Sequence, residues 1–409
     1  MAQTMLVLSS PQPVTASSRL FRHLVHQRLR ELTRSRLRLS DSRGESAFGP
    51  ANCLTHADLT IHHPRFYRRI ALGGSLAFAE AYLDGDWSTT DLPRLLGLFA
   101  DELGAGESHD RWSDWLLKPA RRLVNAGKRN TRAGSRRNIA AHYDLSNEFY
   151  SLWLDETMTY SAAIFPTPDT PLSEASREKY DRMCRLVDLQ PGDRLLEIGT
   201  GWGGFALYAA QTYGCHVTTT TISEQQFDYA QKLFAARGLA DRITLLKNDY
   251  RDLCGEYDKI VSIEMIEAVG HEYLPTFFGV CNKLLHTGGR MAVQAITIPD
   301  QRYAAYRRSV DFIQKYIFPG GALPSLGAIA SAIRKNTQLQ VTTFADYAGD
   351  YERTLLEWRA NFFAKLAQVH ALGFDERFVR MWDYYLCYCA AAFAHRRTGL
   401  AQMGLVKTS

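Results

Sequence analysis

The stretch "DRLLEIGTGWGG", Asp193 to Gly204, carries the reading that decides the fold. Leu195 to Ile198 form a short apolar run with one acid, Glu197, which is the composition of a strand buried on both faces. Glycines 199, 201 and 204 then satisfy G-x-G-x-x-G ahead of a helix over 204–213. A strand that passes through such a turn into a helix lets a nucleotide come close to the backbone.

Outward from this stretch, strands and helices alternate. "HVTTTT" (216–221) is a second strand, and Ser223 caps a helix running to Gly238. "RITLLKN" (242–248) and "YDKIVSIE" (257–264) are the third and fourth strands. A helix over 272–285 leads into the fifth, "RMAVQAITI" (290–298). This alternation predicts a doubly wound, Rossmann-like α/β domain whose ligand binds at the carboxyl ends of the strands.

The acid at the end of the first strand discriminates between nucleotides. A carboxylate at Glu197 repels a pyrophosphate and suits the cationic methionine part of S-adenosylmethionine. The second strand ends in Thr221-Ile222, without the acid that grips an NAD ribose, and Glu224 falls in the first helical turn instead. S-adenosylmethionine is therefore favoured over a dinucleotide.

"VSIEMIEAV", Val261 to Val269, sets two carboxylates, Glu264 and Glu267, at the end of the fourth strand inside an apolar run. Carboxylates are rarely buried without a partner or a task. The pair is a candidate catalytic centre, expected to titrate as a unit with one apparent pKa raised.

The 409 residues suggest two domains, and 46% hydrophobic with 22% charged residues is ordinary for a globular chain. Seven scattered cysteines without metal-ligand spacing read as reduced thiols, which points to the cytoplasm. No secretory signal or membrane-spanning run is present, and no metal site is expected. The net charge of +5 is uneven: residues 1–40 carry seven arginines against Glu31, and residues 111–140 carry nine basic residues against Asp114. Two basic blocks on an otherwise acidic body suggest an anionic surface as partner. Residues 17–40 read as an amphipathic helix, and "KPARRLVNAGKRNTRAGSRR" (118–137) as a linker. The expected organisation is an N-terminal domain over 1–117, the linker over 118–137 and the α/β domain over 138–409.

Taken together, "HYDLSNEFY" (142–150), "LDETMTYSAAIF" (154–165), "LLEIGTGWGGFALYAA" (195–210), "TISEQQ" (221–226), "EAVGHEY" (267–273) and "YIFPGG" (316–321) resemble the cyclopropane fatty acid synthases and mycolic-acid methyltransferases. The likeness covers about residues 138–400, and "AFAEAYLDGDW" (77–87) resembles the small α+β lipid-binding domain of the full-length synthases. What the resemblance implies is methyl transfer from S-adenosylmethionine to a cis double bond of a phospholipid acyl chain. The implied cofactor contacts are Tyr160, Ser161, Gly199, Gly201, Thr221, Ile222, Ser223 and Gln226, with Asp249 and Tyr250 near adenine. Glu197 joins them from the strand-end argument. The implied setting is peripheral, on the inner face of the cytoplasmic membrane, with unsaturated phospholipid as substrate and a homodimer left open.

In the best-known members a bicarbonate ion takes the proton. It is held by a Cys backbone, a Gly, a Glu three residues later, a His, an Ile and a Tyr. Here those positions are Ala162, Glu264, Glu267, Gln294, Ile296 and Tyr351. A Gly leaves room for a bound ion, whereas Glu264 fills that room with its own carboxylate, so bicarbonate is not expected to be required. Glu264 is then the catalytic base, with Gln294 in the His position and with Glu267 and Tyr351 expected to hydrogen-bond and orient it. The tyrosines and phenylalanines of 303–318 are expected to line an acyl tunnel. A methylene or methyl branch is the alternative product. A nucleic-acid methyltransferase is disfavoured by the lack of an "NPPY"-like motif. A lipid-binding protein with a vestigial site is the third alternative.

Overall fold

The computed structural model describes residues 16–102 and 145–409. Within them the chain divides into two compact units between Asp91 and Leu92. The proposed linker over 118–137 lies outside the described residues.

The first unit is α+β. Helix α1 (Ala16–Leu29) precedes β1 (Ser35–Asp41), β2 (Gly44–Phe48) and β3 (Thr55–Ile61); α2 (Arg65–Leu83) and β4 (Trp87–Ser88) follow. The sheet order is β2-β1-β3-β4, with β1 and β3 parallel and the other pairs antiparallel. The expected helix over 17–40 ends early, because "SRLRLSD" alternates with a period of two rather than 3.6. Leu37 and Leu39 are fully buried, while Arg38 between them is exposed. The "DGDW" motif closes this unit. Buried Asp86 takes ion pairs from Arg65 and Arg69, and the Trp87 indole donates to the Phe78 carbonyl at 2.9 Å.

The second unit opens with α3 (Leu92–Glu102), then α4 (Asn147–Ser151) and α5 (Leu172–Leu186). The α/β core follows: β5 (Arg194–Ile198), α6 (Gly204–Tyr213), β6 (His216–Thr220), α7 (Glu224–Ala236), β7 (Ile243–Leu246), β8 (Tyr257–Ile263), α8 (Leu274–Leu284) and β9 (Leu285–Thr297). After β9 come α9 (Asp300–Tyr306), a π-helical turn (Ile313–Ile317), α10 (Leu326–Asn336) and β10 (Leu339–Asp346). The chain ends with α11 (Ala348–Ala364), α12 (Leu366–Ala371), α13 (Glu376–Ala394) and β11 (Gly399–Lys407). Helix α3 packs against α13, with Asp101 and His395 paired at 2.6 Å.

The seven-stranded sheet has the order β10-β11-β9-β8-β5-β6-β7. Strands β5 to β9 are parallel, and β11 runs antiparallel to both β9 and β10. All five expected strands are present; β10 and β11 were not foreseen. Side chains of β5 alternate between two apolar clusters, one beneath α8 and α10, the other beneath α5, α6 and α7. The winding direction reverses between β5 and β8. Ligands bind at such a switch point in open sheets.

Candidate active site

The two strands that flank the switch point end in the two motifs singled out above. After β5 the backbone turns through Gly199, Gly201 and Gly203, all at positive φ, and Gly203 caps α6. A Cβ at Gly201 would meet no protein atom within 4 Å, so this position faces open space at the strand end. The turn is held by the Gly199 and Thr200 N–H groups donating to the Thr220 carbonyl.

The remaining expected cofactor residues gather near this turn on neighbouring elements. Thr221 Oγ1 donates to Gln226 Oε1 at 2.9 Å, and Ser223 Oγ caps α7 at the Gln226 N–H. Ile222, between them, is half-buried. Asp249 is gripped by Arg251 at two nitrogens, and the Tyr250 hydroxyl is buried without a partner among the described residues. Glu197 is buried and accepts from Thr219 Oγ1 at 2.5 Å; burial pushes its pKa up to about 8. Tyr160 shares a hydrogen bond with Tyr385 at 2.9 Å. Its ring packs among Tyr150, Trp153, Trp358 and Phe318, at centroid distances of 5.4, 5.5, 5.4 and 6.1 Å.

Beyond β8 the chain takes a sharp turn at Glu264, whose φ is +49°. A non-glycine residue there costs of order 1–3 kcal/mol unless its surroundings compensate. The compensation is visible. Glu264 Oε1 accepts from the Ala162 N–H at 2.9 Å and from Gln294 Nε2 at 2.7 Å; Oε2 accepts from the Tyr351 hydroxyl at 2.7 Å. Its own N–H donates to the Gln294 carbonyl at 2.8 Å, which continues the β8–β9 ladder by one residue. Helix α11, which carries Tyr351, also pins the strand-like segment around Ala162. Thr354 Oγ1 accepts from the Ala163 N–H, and Asp350 accepts from the Phe165 N–H.

Glu267 behaves otherwise than expected. It makes no hydrogen bond to Glu264. The 3-10 turn over Ile266–Ala268 carries it toward β9, where its Oε1 accepts from the Ile296 N–H at 2.5 Å and its Oε2 is buried without a partner among the described residues. Burial, followed by the charge of Glu264, pushes its pKa up to about 8, so Glu267 holds its proton at neutral pH. By surface area both residues are only half-buried. Burial nonetheless dominates the titration of both carboxyls, because they sit among protein atoms rather than water. Glu264 is raised by the same desolvation, opposed first by the positive charge of Lys179 and then by its three donors. Three donors and a nearby cation oppose that rise, so within the pair Glu264 ionises more readily than Glu267.

Two residues of this site escaped the sequence reading. Gln402 on β11 donates to Gln294 Oε1 at 2.8 Å, which turns the Gln294 amide nitrogen toward Glu264. Lys179 on α5 is fully buried and donates to Ser161 Oγ at 2.5 Å. It stands among charged neighbours in "SREKYDRM", yet it occupies the apolar stripe Leu172, Ala175, Ser176, Tyr180, Met183 and Cys184. That helical periodicity was the available signal.

Of the aromatics over 303–318, Phe318 lies next to Tyr160, while Phe312 packs on Tyr384 and Tyr303 hydrogen-bonds His271.

The chain is similar to known proteins over most of its length. The chain is 41% identical over 360 residues to a tuberculostearic acid methyltransferase of Mycobacterium tuberculosis, covering 85% of this chain and 83% of that one. It is 35% identical over 360 residues to the cyclopropane-fatty-acyl-phospholipid synthase of Escherichia coli, covering 85% and 87%. Among solved structures, a cyclopropane synthase of Mycobacterium tuberculosis superposes with a TM-score of 0.62 at 30% identity, over 66% of this chain and 98% of that one. The family profile described as mycolic acid cyclopropane synthetase matches residues 130–403, and the chain belongs to that family.

Proposed function

We propose that this enzyme transfers a one-carbon unit from S-adenosylmethionine to the cis double bond of an unsaturated phospholipid acyl chain, with Glu264 as the base that completes cyclopropane formation. Family membership makes it a one-carbon transferase dependent on S-adenosylmethionine. The observation that carries the finer reading is the Glu264 carboxylate. It sits at the switch point and takes donors from Ala162, Gln294 and Tyr351, three positions that the resemblance assigns to a bicarbonate shell.

The open space before Gly201 and the polar groups of Thr221, Ser223 and Gln226 fit a nucleoside-bearing cofactor. When bound, the cofactor supplies an electrophilic methyl group. The protein need not activate the alkene; it has to align it, exclude water and stabilise positive charge. The Glu264 carboxylate and the π-faces around Tyr160 are suited to that charge. Oε1 already accepts two hydrogen bonds and Oε2 one, so Oε2 keeps a lone pair for a proton. As the proton leaves the added methyl carbon for Oε2, the C–H electron pair closes the ring. Tyr351 and Gln294 hold the carboxylate still during this step. A bicarbonate ion is not needed.

A second reading, an acyl chain bearing a methyl or methylene branch, is favoured by the 41% identity to a protein named as a tuberculostearic acid methyltransferase. A hydride shift before proton loss from the methyl carbon would divert the same cation to a methylene branch; a saturated methyl branch would need a hydride donor in a further step. Proton NMR of total fatty acids, after expression in a host lacking the modification, separates the two. High-field ring-methylene signals are expected, and olefinic methylene signals in their place would establish the second reading.

Among the described residues no helix is long and apolar enough to cross a membrane. The exposed arginines of the first unit offer another mode of attachment. Arg19, Arg30, Arg34 and Arg38 are exposed, and Leu20 is 57% exposed among them. Each basic residue near an anionic bilayer contributes about 1 kcal/mol, screened by salt. Co-sedimentation with anionic liposomes is expected to fall as ionic strength rises and to vanish on neutral liposomes. Binding indifferent to both would rule out the 19–38 and 118–137 blocks as the attachment.

A further inference from the structure

We propose that Lys179 is a positioning residue for this reaction: its buried ammonium, anchored on Ser161, keeps Glu264 in the carboxylate form that accepts the proton. The inference rests on the reading of Glu264 as base. Lys179 has no exposed surface, and its Nζ donates to Ser161 Oγ at 2.5 Å. Ser161 immediately precedes Ala162, whose N–H binds Glu264 Oε1, so one short segment carries both the anchor of the cation and a donor to the anion.

Three carboxyl groups act on Lys179: Glu264, Asp155 and Glu197. Asp155 is occupied by Thr157 and by Ser176 Oγ, and Glu197 by Thr219. Glu197, raised to about 8 by burial, is protonated at neutral pH. Among the three, Glu264 exerts the strongest pull on Lys179, and Lys179 is in turn the largest influence favouring ionised Glu264. The face of Tyr180 lies 4.8 Å from the ammonium, and no other cation is set against it among the described residues.

A purely structural role explains this poorly. Lysine is almost never fully buried without a close ion pair, and Lys179 makes none among the described residues. A methionine would fill the same stripe without the desolvation penalty. Burial holds Lys179 down to about 8, which still leaves it charged at neutral pH. A desolvated cation near a desolvated base makes sense if the base must remain ionised in a dry pocket.

The test is the pH profile of kcat for full-length enzyme on liposomes of unsaturated phospholipid, read by methyl transfer from S-adenosylmethionine. For Lys179→Met, the acid limb should move up by about one pH unit or more, so that kcat on the acid side of the limb falls about tenfold per unit and recovers as pH rises. KM for S-adenosylmethionine should stay within about twofold, and Lys179→Arg should keep the wild-type acid limb. A folded Lys179→Met variant with an unmoved acid limb overturns the proposal. If that variant does not fold, Ser161→Ala serves instead: freeing the ammonium should raise the acid limb, and an unmoved limb overturns the proposal equally. Glu264→Gln separates the two ideas. An active Glu264→Gln enzyme removes the base itself, whereas an inactive one beside an unmoved Lys179→Met limb removes only the role of Lys179.

Discussion

Glu264→Gln is expected to lower turnover by about three orders of magnitude or more, the upper part of the range for losing a positioned general base. Affinity for S-adenosylmethionine should change little. The substitution keeps the shape of the side chain. A Gln oxygen can occupy the Oε1 position, where the Ala162 N–H and Gln294 Nε2 donate, and its amide can face the Tyr351 hydroxyl, which can accept. The positive φ of 49° is unaltered, so the backbone cost is the same in both proteins. What disappears is the lone pair that takes a proton. Calorimetric titration beside a methyl-transfer assay checks both halves, and a variant that keeps most of its activity would leave Glu264 as a strand-end residue only.

Gly201→Val should weaken cofactor binding at least about tenfold, equivalent to about 1.4 kcal/mol. Two effects combine at this position. The backbone φ is +53°, where a β-branched residue is strained by about 1–3 kcal/mol, and this should appear as a lower melting temperature. The added Cβ meets no protein atom within 4 Å, so the side chain extends into the space before the strand end. Undiminished affinity in a folded Gly201→Val protein would mean that the cofactor lies elsewhere.

How legible this molecule was in its sequence depends on how local each signal is. Strands β5 to β9 were readable because each is a short apolar run bounded by turn residues, and this packing needs no partner to be recognised. The end of α1 was misjudged because leucines and arginines continue past Leu29 while their period changes from 3.6 to two. Strands β10 and β11 were missed because β10 is almost wholly exposed and β11 carries a buried Gln402 whose partner lies 108 residues away. Register of that kind is set by tertiary pairing alone.

The candidate site divides the same way. Glu264 stood out because a charge at a buried strand end is improbable without a reason, and its position matched a glycine of the resembled family. The partnership imagined between Glu264 and Glu267 was wrong in detail, because a three-residue spacing says nothing about a 3-10 turn that sends the second carboxyl to Ile296. Burial raises both carboxyls, Glu267 to about 8, and the charge of Glu264 adds to the rise at Glu267.

The central claim is that a tethered carboxylate does the work of a dissolved ion, and bicarbonate dependence tests it most directly. Purified wild-type enzyme should be assayed in buffer stripped of carbon dioxide, with and without added bicarbonate, beside Glu264→Gly. The wild-type rate should be the same in both conditions, while the glycine variant, with room restored among Ala162, Gln294 and Tyr351, should gain activity only when bicarbonate is added. Wild-type turnover that collapses without bicarbonate and returns with it would contradict the account.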